Sequence, residues 1–173
     1  ECFDRSIASD SSATEPLVLK GDALLAMGWL TEAEACFKQA LIINPDDATA
    51  WSACGACFRR QKRYLDAIQC FEKAISIDQS DAITWARLGR THFQVGHIEE
   101  SLYFLQKATV LDPSCWGAWY HTLVVYAELA KRRNDPTLLT EMERYVNSVC
   151  NFCLSFLIIL LLVLFSERSK VYA

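Results

Sequence analysis

Two cysteine pairs, Cys54-Gly-Ala-Cys57 and Cys150-Asn-Phe-Cys153, carry the two-residue spacing that zinc sites use. They stand far apart in the chain, and the first falls in a helical pattern where a small apolar side chain is wanted. Reduced cysteines that serve as packing groups are therefore expected. The histidines are His92, His97 and His121. None forms a His-Glu-x-x-His pair, and the sequence holds no glycine-rich phosphate loop or nucleophile elbow. His97-Ile-Glu99-Glu100 gathers metal-ligating types, but a solvated turn explains them more simply. Asp46-Asp47 sits between helical stretches, where carboxylates cap helices. The sequence thus predicts no catalytic residue, no metal, no cofactor and no small-molecule substrate.

These residues sit on a scaffold written three times. From Thr14 to Cys115 a 34-residue unit recurs. Phe3, Phe37, Phe71 and Leu105 fall in line, as do Gly21, Gly55 and Gly89. Trp51, Trp85 and Trp119 form a column, and so do Ala33, Ala67 and Ser101, then Ala40, Ala74 and Ala108. Such a period implies a solenoid of stacked units in place of one globular core.

Apolar residues recur at steps of three and four in two stretches of each unit, so each unit is a pair of antiparallel helices. Helices are expected over residues 15–28 and 31–44, 48–62 and 65–78, and 82–95 and 98–111. The glycine column and the Ala33 column lie on facing helices and let them approach. The aromatic column fills the remaining gap, and Trp51 and Trp85 are expected to be buried with it. Asn44-Pro45-Asp46-Asp47 and Asp112-Pro113 turn the chain. Thr31-Glu32-Ala33-Glu34 matches a capping box at the start of a second helix.

With Thr14, Ala48 and Ala82 as position 1, the unit has Trp at 4, Gly at 8, Ala at 20, Phe at 24, Ala at 27 and Pro at 32. This pattern resembles the tetratricopeptide repeat family over roughly residues 1–130. Leu17 replaces the Trp of the first unit and Gln79 the Pro of the second. The resemblance implies an all-α, right-handed superhelical solenoid whose concave groove binds peptides or protein partners, without catalysis. The groove lining in that family falls at positions 2, 5, 9, 12 and 13 of each first helix. On this chain those positions include Val18, Asp22, Leu25, Ser52, Arg59, Arg60, Arg90, Phe93, Gln94 and Tyr120. Asp22, Arg59, Arg60, Arg90, Phe93, Gln94 and Tyr120 are taken as the partner-binding residues. Family members that clamp the acidic C-termini of heat-shock chaperones carry Lys and Asn where this chain has Val18 and Asp22. Only Arg90 agrees with that subtype, and Asp22 would repel a carboxylate.

Run backward, the register places residues 1–13 in the second helix of an incomplete unit. The sequence is therefore read as a C-terminal piece of a longer repeat protein, with a degenerate half-unit cap as the alternative. Complete units are expected at 14–47, 48–81 and 82–115, with a degenerate fourth unit or cap at 116–149. Residues 149–165 carry no charge, and Phe156 to Phe165 are all apolar. A C-terminal apolar helix is expected there, within an apolar tail, 150–173. Its length is at the lower limit for a bilayer span of about 17–25 residues. A membrane anchor, a helix docked on the last unit and a tail foreign to the natural protein all fit.

The chain is 173 residues long, 52% hydrophobic and 22% charged, with a formal net charge of -4. The negative balance argues against nucleic acid as a partner. Cysteines kept for packing fit a reducing compartment, so a cytoplasmic location is expected, with a membrane tether if the tail is an anchor. The resulting expectation is a non-catalytic protein–protein interaction scaffold. The alternatives are a membrane-anchored assembly factor, or the repeat region of a larger enzyme or signalling protein.

Overall fold

The computed structural model describes residues 11–133 together with 137, 138, 140 and 142. Those residues form helices alone: α1 (Ser11–Met27), α2 (Leu30–Ile43), α3 (Ala48–Arg60), α4 (Tyr64–Ile77), α5 (Ala82–Val95), α6 (Ile98–Leu111) and α7 (Trp116–Arg133). The six expected helices are all present, and their ends agree to within a few residues. The architecture is an all-α solenoid. The chain separates into two compact units, Glu1–Val125 and Tyr126–Ala173. In the first, α1 packs on α2, α3 on α4 and α5 on α6, and the pairs join through α2 with α3 and α4 with α5. The described part of the second holds the end of α7, where Arg132 Nε donates to Glu128 Oε1 at 2.9 Å. The opening half-unit before residue 11 and the apolar segment 149–165 lie outside the described residues. Among the described residues no helix is long and apolar enough to cross a membrane.

Inside each pair the glycine column meets the aromatic column. Phe37 and Phe71 are fully buried, as is Leu105 in the third pair. A Cβ added to Gly55 would stand 2.7 Å from the Phe71 ring, and Gly21 is pressed in the same way by Phe37. The missing side chain is therefore the space the ring occupies. At Gly89 the neighbour is Leu105 Cγ at 2.8 Å, with the Leu105 nitrogen and the Ser101 carbonyl oxygen at 3.1 Å. Cys36, Cys54, Cys57 and Cys70 are buried as free thiols. Loss of water on burial, then the neighbouring Cys54 thiol and Glu34 carboxylate, push the Cys57 thiol up to about 11. It behaves as a packing group, and its Sγ donates to the Leu30 carbonyl at 3.3 Å.

Trp51 and Trp85 depart from expectation. They are half-buried, because an indole N–H needs an acceptor and stays where one is available. Trp51 Nε1 donates to the Pro45 carbonyl at 2.8 Å, Trp85 to Gln79 at 2.9 Å and Trp119 to Pro113 at 3.0 Å. One bond, made three times, ties each pair's first helix to the turn before it. Gln79 takes the place of proline there without changing that bond.

The capping box is also a correction. The helix begins at Leu30, Trp29 is its N-cap, and no side chain caps it. Thr31 Oγ1 donates instead to Glu32 Oε2 at 2.7 Å. Glu34 turns to Lys38 Nζ, 2.7 Å away, and accepts from Gln61 Nε2 at 2.8 Å. Carboxylate caps do stand at the first helices of the next pairs. Asp47 accepts from the Ala50 amide and Asp81 from the Ile83 amide. His97 is an exposed N-cap whose ring lies 5.6 Å from that of His92.

Candidate functional site

The face of interest is built from first helices: α1, α3, α5 and the start of α7. On α5, Ile83, Arg87, Arg90 and Gln94 follow at steps of four, three and four, so they share one side of the helix. On α3, Arg59 and Arg60 occupy the last turn, where positive charge also complements the helix dipole.

Arg87 is held by a chain of buried hydroxyls. Its Nη1 donates to Ser52 Oγ at 2.8 Å. Ser52 Oγ and Thr84 Oγ1 are 2.6 Å apart. Thr84 donates its own proton to Asp81 Oδ2. Ser52 must then donate to Thr84, and every hydroxyl in the chain gives one bond and accepts one. The run Arg87–Ser52–Thr84–Asp81 links α3 to α5 and ends on the carboxylate that caps α5.

The arginines sense one another. Arg59 is half-buried, and its Nε is buried with no hydrogen-bond partner among the described residues. Burial first, then the charges of Arg90, Arg87 and Arg60, draw its guanidinium down to about 10, still fully charged at neutral pH. Arg60 is partly engaged, since its Nη1 donates to the Leu25 carbonyl at 2.7 Å, in the last turn of α1. Among the described residues no carboxylate lies within ion-pair distance of Arg59, Arg60, Arg87 or Arg90. His121 closes the group from α7. Burial, then Arg90 and Arg59, lower it to about 4, so its imidazole is neutral at neutral pH.

The expected binding residues divide. Arg59, Arg60 and Arg90 come together. Tyr120 is exposed on α7, its ring edge-on to His121 at 5.2 Å. Phe93 is half-buried and Gln94 exposed, both on α5 one turn beyond Arg90. Asp22 is exposed on α1 at the border of the group. Bulk protein on one side raises its carboxyl, and the positive charge of Arg87 offsets this only in part. Val18, Leu25 and Ser52, expected to line the groove, are instead buried between helices. Arg87 and His121 were not among the expected binding residues. The three-residue step from Arg87 to Arg90 was the available signal for the first.

The tetratricopeptide repeat family model matches residues 18–82. That segment belongs to the tetratricopeptide repeat family. The repeats of the chain superpose on the first such domain of Spaghetti (RPAP3) bound to the HSP90 peptide SRMEEVD, with a TM-score of 0.67 and 21% identity, covering 72% of this chain and 98% of that one. The Sgt2 domain from Aspergillus fumigatus gives 0.70 at 18% identity, over 75% and 87%. MamA from Desulfovibrio magneticus RS-1 gives 0.64 at 24%, over 78% and 76%. At these identities the likeness is one of fold. No curated protein matches the sequence.

Proposed function

We propose that this repeat protein is a non-catalytic interaction scaffold that binds an extended acidic peptide or protein segment along the face made by α1, α3, α5 and α7. The observation that carries this is the convergence of Arg59, Arg60, Arg87 and Arg90 with no carboxylate within ion-pair distance among the described residues. Four like charges gathered in an acidic chain cost stability, and a partner's carboxylates relieve that cost. Ile83, Phe93 and Tyr120 supply apolar surface beside the charges, which suits alternating acidic and apolar side chains. Gln94 adds a neutral donor and acceptor for a peptide backbone. Asp22 marks the end of the path that acidic groups would follow. The acidic peptide in the RPAP3 complex belongs to that protein, and it supports the general chemistry only. The units 14–47, 48–81 and 82–115 would act as one rigid platform.

The test uses dye-labelled pools of short peptides in which acidic and apolar residues are mixed at random. Anisotropy should rise with the protein, fall as salt is added, and vanish for Arg59→Glu/Arg90→Glu at unchanged helicity. A matched lysine pool should not bind. Equal binding of the acidic and basic pools, or indifference to the double substitution, would refute the reading.

A further inference from the structure

A carboxylate has two oxygens, and one guanidinium fork satisfies both. The face described above offers more than that. Arg87 is pinned by Ser52 at 2.8 Å, so part of its guanidinium is fixed and the remainder is free to point at a ligand. Arg59 and Arg90 lie close enough for their charges to act on each other and on His121. Arg59 Nε is a buried donor without an acceptor among the described residues. A buried, unsatisfied donor is costly and signals a missing acceptor.

We infer that Arg59, Arg87 and Arg90 together take a phosphorylated serine or threonine side chain of the peptide partner. The inference rests on the acidic-peptide reading above and narrows it. A phosphomonoester carries about -1.5 to -2 charge at neutral pH and three terminal oxygens, so several guanidinium groups can share it without leaving one unpaired. The group contains arginines and no lysine, and arginine's planar fork matches phosphate geometry as a lysine point charge does not. Arg60, bound to the Leu25 carbonyl, contributes charge from the edge. The flanking Ile83, Phe93 and Tyr120 favour a peptide-borne phosphate over a free ion, because they offer contacts only a chain can use. The net charge of -4 opposes nucleic acid as the phosphate's source.

The experiment immobilises the full chain and applies three peptide pools with randomised flanks and a fixed central phosphoserine, glutamate or serine. The phosphoserine pool should be retained at least about tenfold better than the glutamate pool, since charge-assisted bonds to several forks are added. Free inorganic phosphate at equal concentration should compete only weakly. Arg59→Gln and Arg87→Gln should each remove the preference. Arg90→Lys, which keeps the charge and loses the fork, should retain the glutamate pool while lowering the phosphoserine preference. Equal retention of the phosphoserine and glutamate pools overturns this inference and leaves the acidic-peptide reading standing. Full competition by inorganic phosphate overturns it in favour of a simple anion site. Retention of none of the pools overturns both.

Discussion

The interior of the helix pairs and the arginine face are made from the same helices by opposite rules. Inside, each unit repeats its neighbour: Gly21 against Phe37, Gly55 against Phe71, Gly89 against Leu105. On the face nothing repeats. Asp22 of α1 stands at the same unit position as Arg90 of α5, with Ala56 between them in sequence, so the sign of charge reverses along one column. Repetition marks what every unit needs in order to stack. Its absence marks what the assembled face does once. The interior should therefore lose stability when changed, whereas the face should gain it, because like charges are gathered there against their own repulsion.

The largest expected effect tests the interior. Gly55→Leu must push its side chain into the space of the Phe71 ring, 2.7 Å from where the first added carbon would sit. Overpacking of this kind costs about 1–3 kcal/mol, and the clash with a fully buried ring favours the upper part of that range. Chemical denaturation of the variant would measure it. An unchanged midpoint would mean the helices are not in close contact there.

Trp85→Phe tests the bond between a helix and the turn before it. The ring remains beside Phe104, with centroids now 6.0 Å apart, but the hydrogen bond to the Gln79 carbonyl is lost. The expected cost is about 1 kcal/mol. Trp51→Phe should cost a similar amount through Pro45, since the two bonds are equivalent. A large difference between the two would show that proline and glutamine turns are not interchangeable.

Arg59→Met should move stability the other way. It removes a half-buried charge and a buried Nε without a partner, and it relieves repulsion with Arg90, Arg87 and Arg60. After allowance for solvent screening the gain should be about 1 kcal/mol, with loss of acidic-peptide binding. A destabilised variant would indicate that the arginine stem is packing the interior.

His121 gives the same comparison a pH axis. Its folded value of about 4 lies below the ordinary histidine value of about 6.5. The fold therefore disfavours the protonated ring. The associated stability is fully present above about pH 6.5 and is lost as pH falls toward about 4. His92, lowered by burial and by His97, adds to the same slope, while the raised carboxyl of Asp22 opposes it. His121→Gln should flatten the decline between those values in melting experiments across pH. An unaltered slope would remove His121 from the arginine group.

Much of the interior was legible from the sequence, because a column kept at one spacing must serve the same contact each time. Phe37, Phe71, Ala33 and Ala67 were found that way, and so were the helix boundaries. Trp51 and Trp85 are only half-buried, because each indole donor reaches a turn carbonyl that hydrophobic size does not reveal. Thr31 and Glu34 fit a capping pattern, but Thr31 bonds to Glu32 and Glu34 to Lys38 and Gln61, which no spacing rule forbids. The face was legible only as far as its family positions allowed. Those positions gave Arg59, Arg60 and Arg90 but also Val18 and Ser52, which neighbouring helices cover. Arg87 escaped because its role depends on Ser52 and Thr84, hydroxyls from two different units that only the packed structure brings together.

The smallest expected effect lies where a structural column breaks its own rule. At the turns that follow α1, α3 and α5, Gly28, Lys62 and Gly96 stand one unit apart, and all three have positive φ, at 85, 63 and 96 degrees. Glycine adopts this left-handed conformation freely, whereas a side chain there costs roughly 1–2 kcal/mol. Lys62 is exposed, and no hydrogen bond or ion pair of its side chain offsets that cost among the described residues. Replacing it with glycine removes the strain but gives the unfolded chain more freedom, which takes back about half of the gain. Lys62→Gly should therefore raise stability by about 0.5 kcal/mol, read as a higher denaturation midpoint at unchanged slope. Lys62→Ala, which keeps a Cβ in the same conformation, should give no such rise. If alanine stabilised as much as glycine, the benefit would come from removing positive charge near Arg59, Arg60 and Arg63, and the face would be setting the stability of the turn beside it.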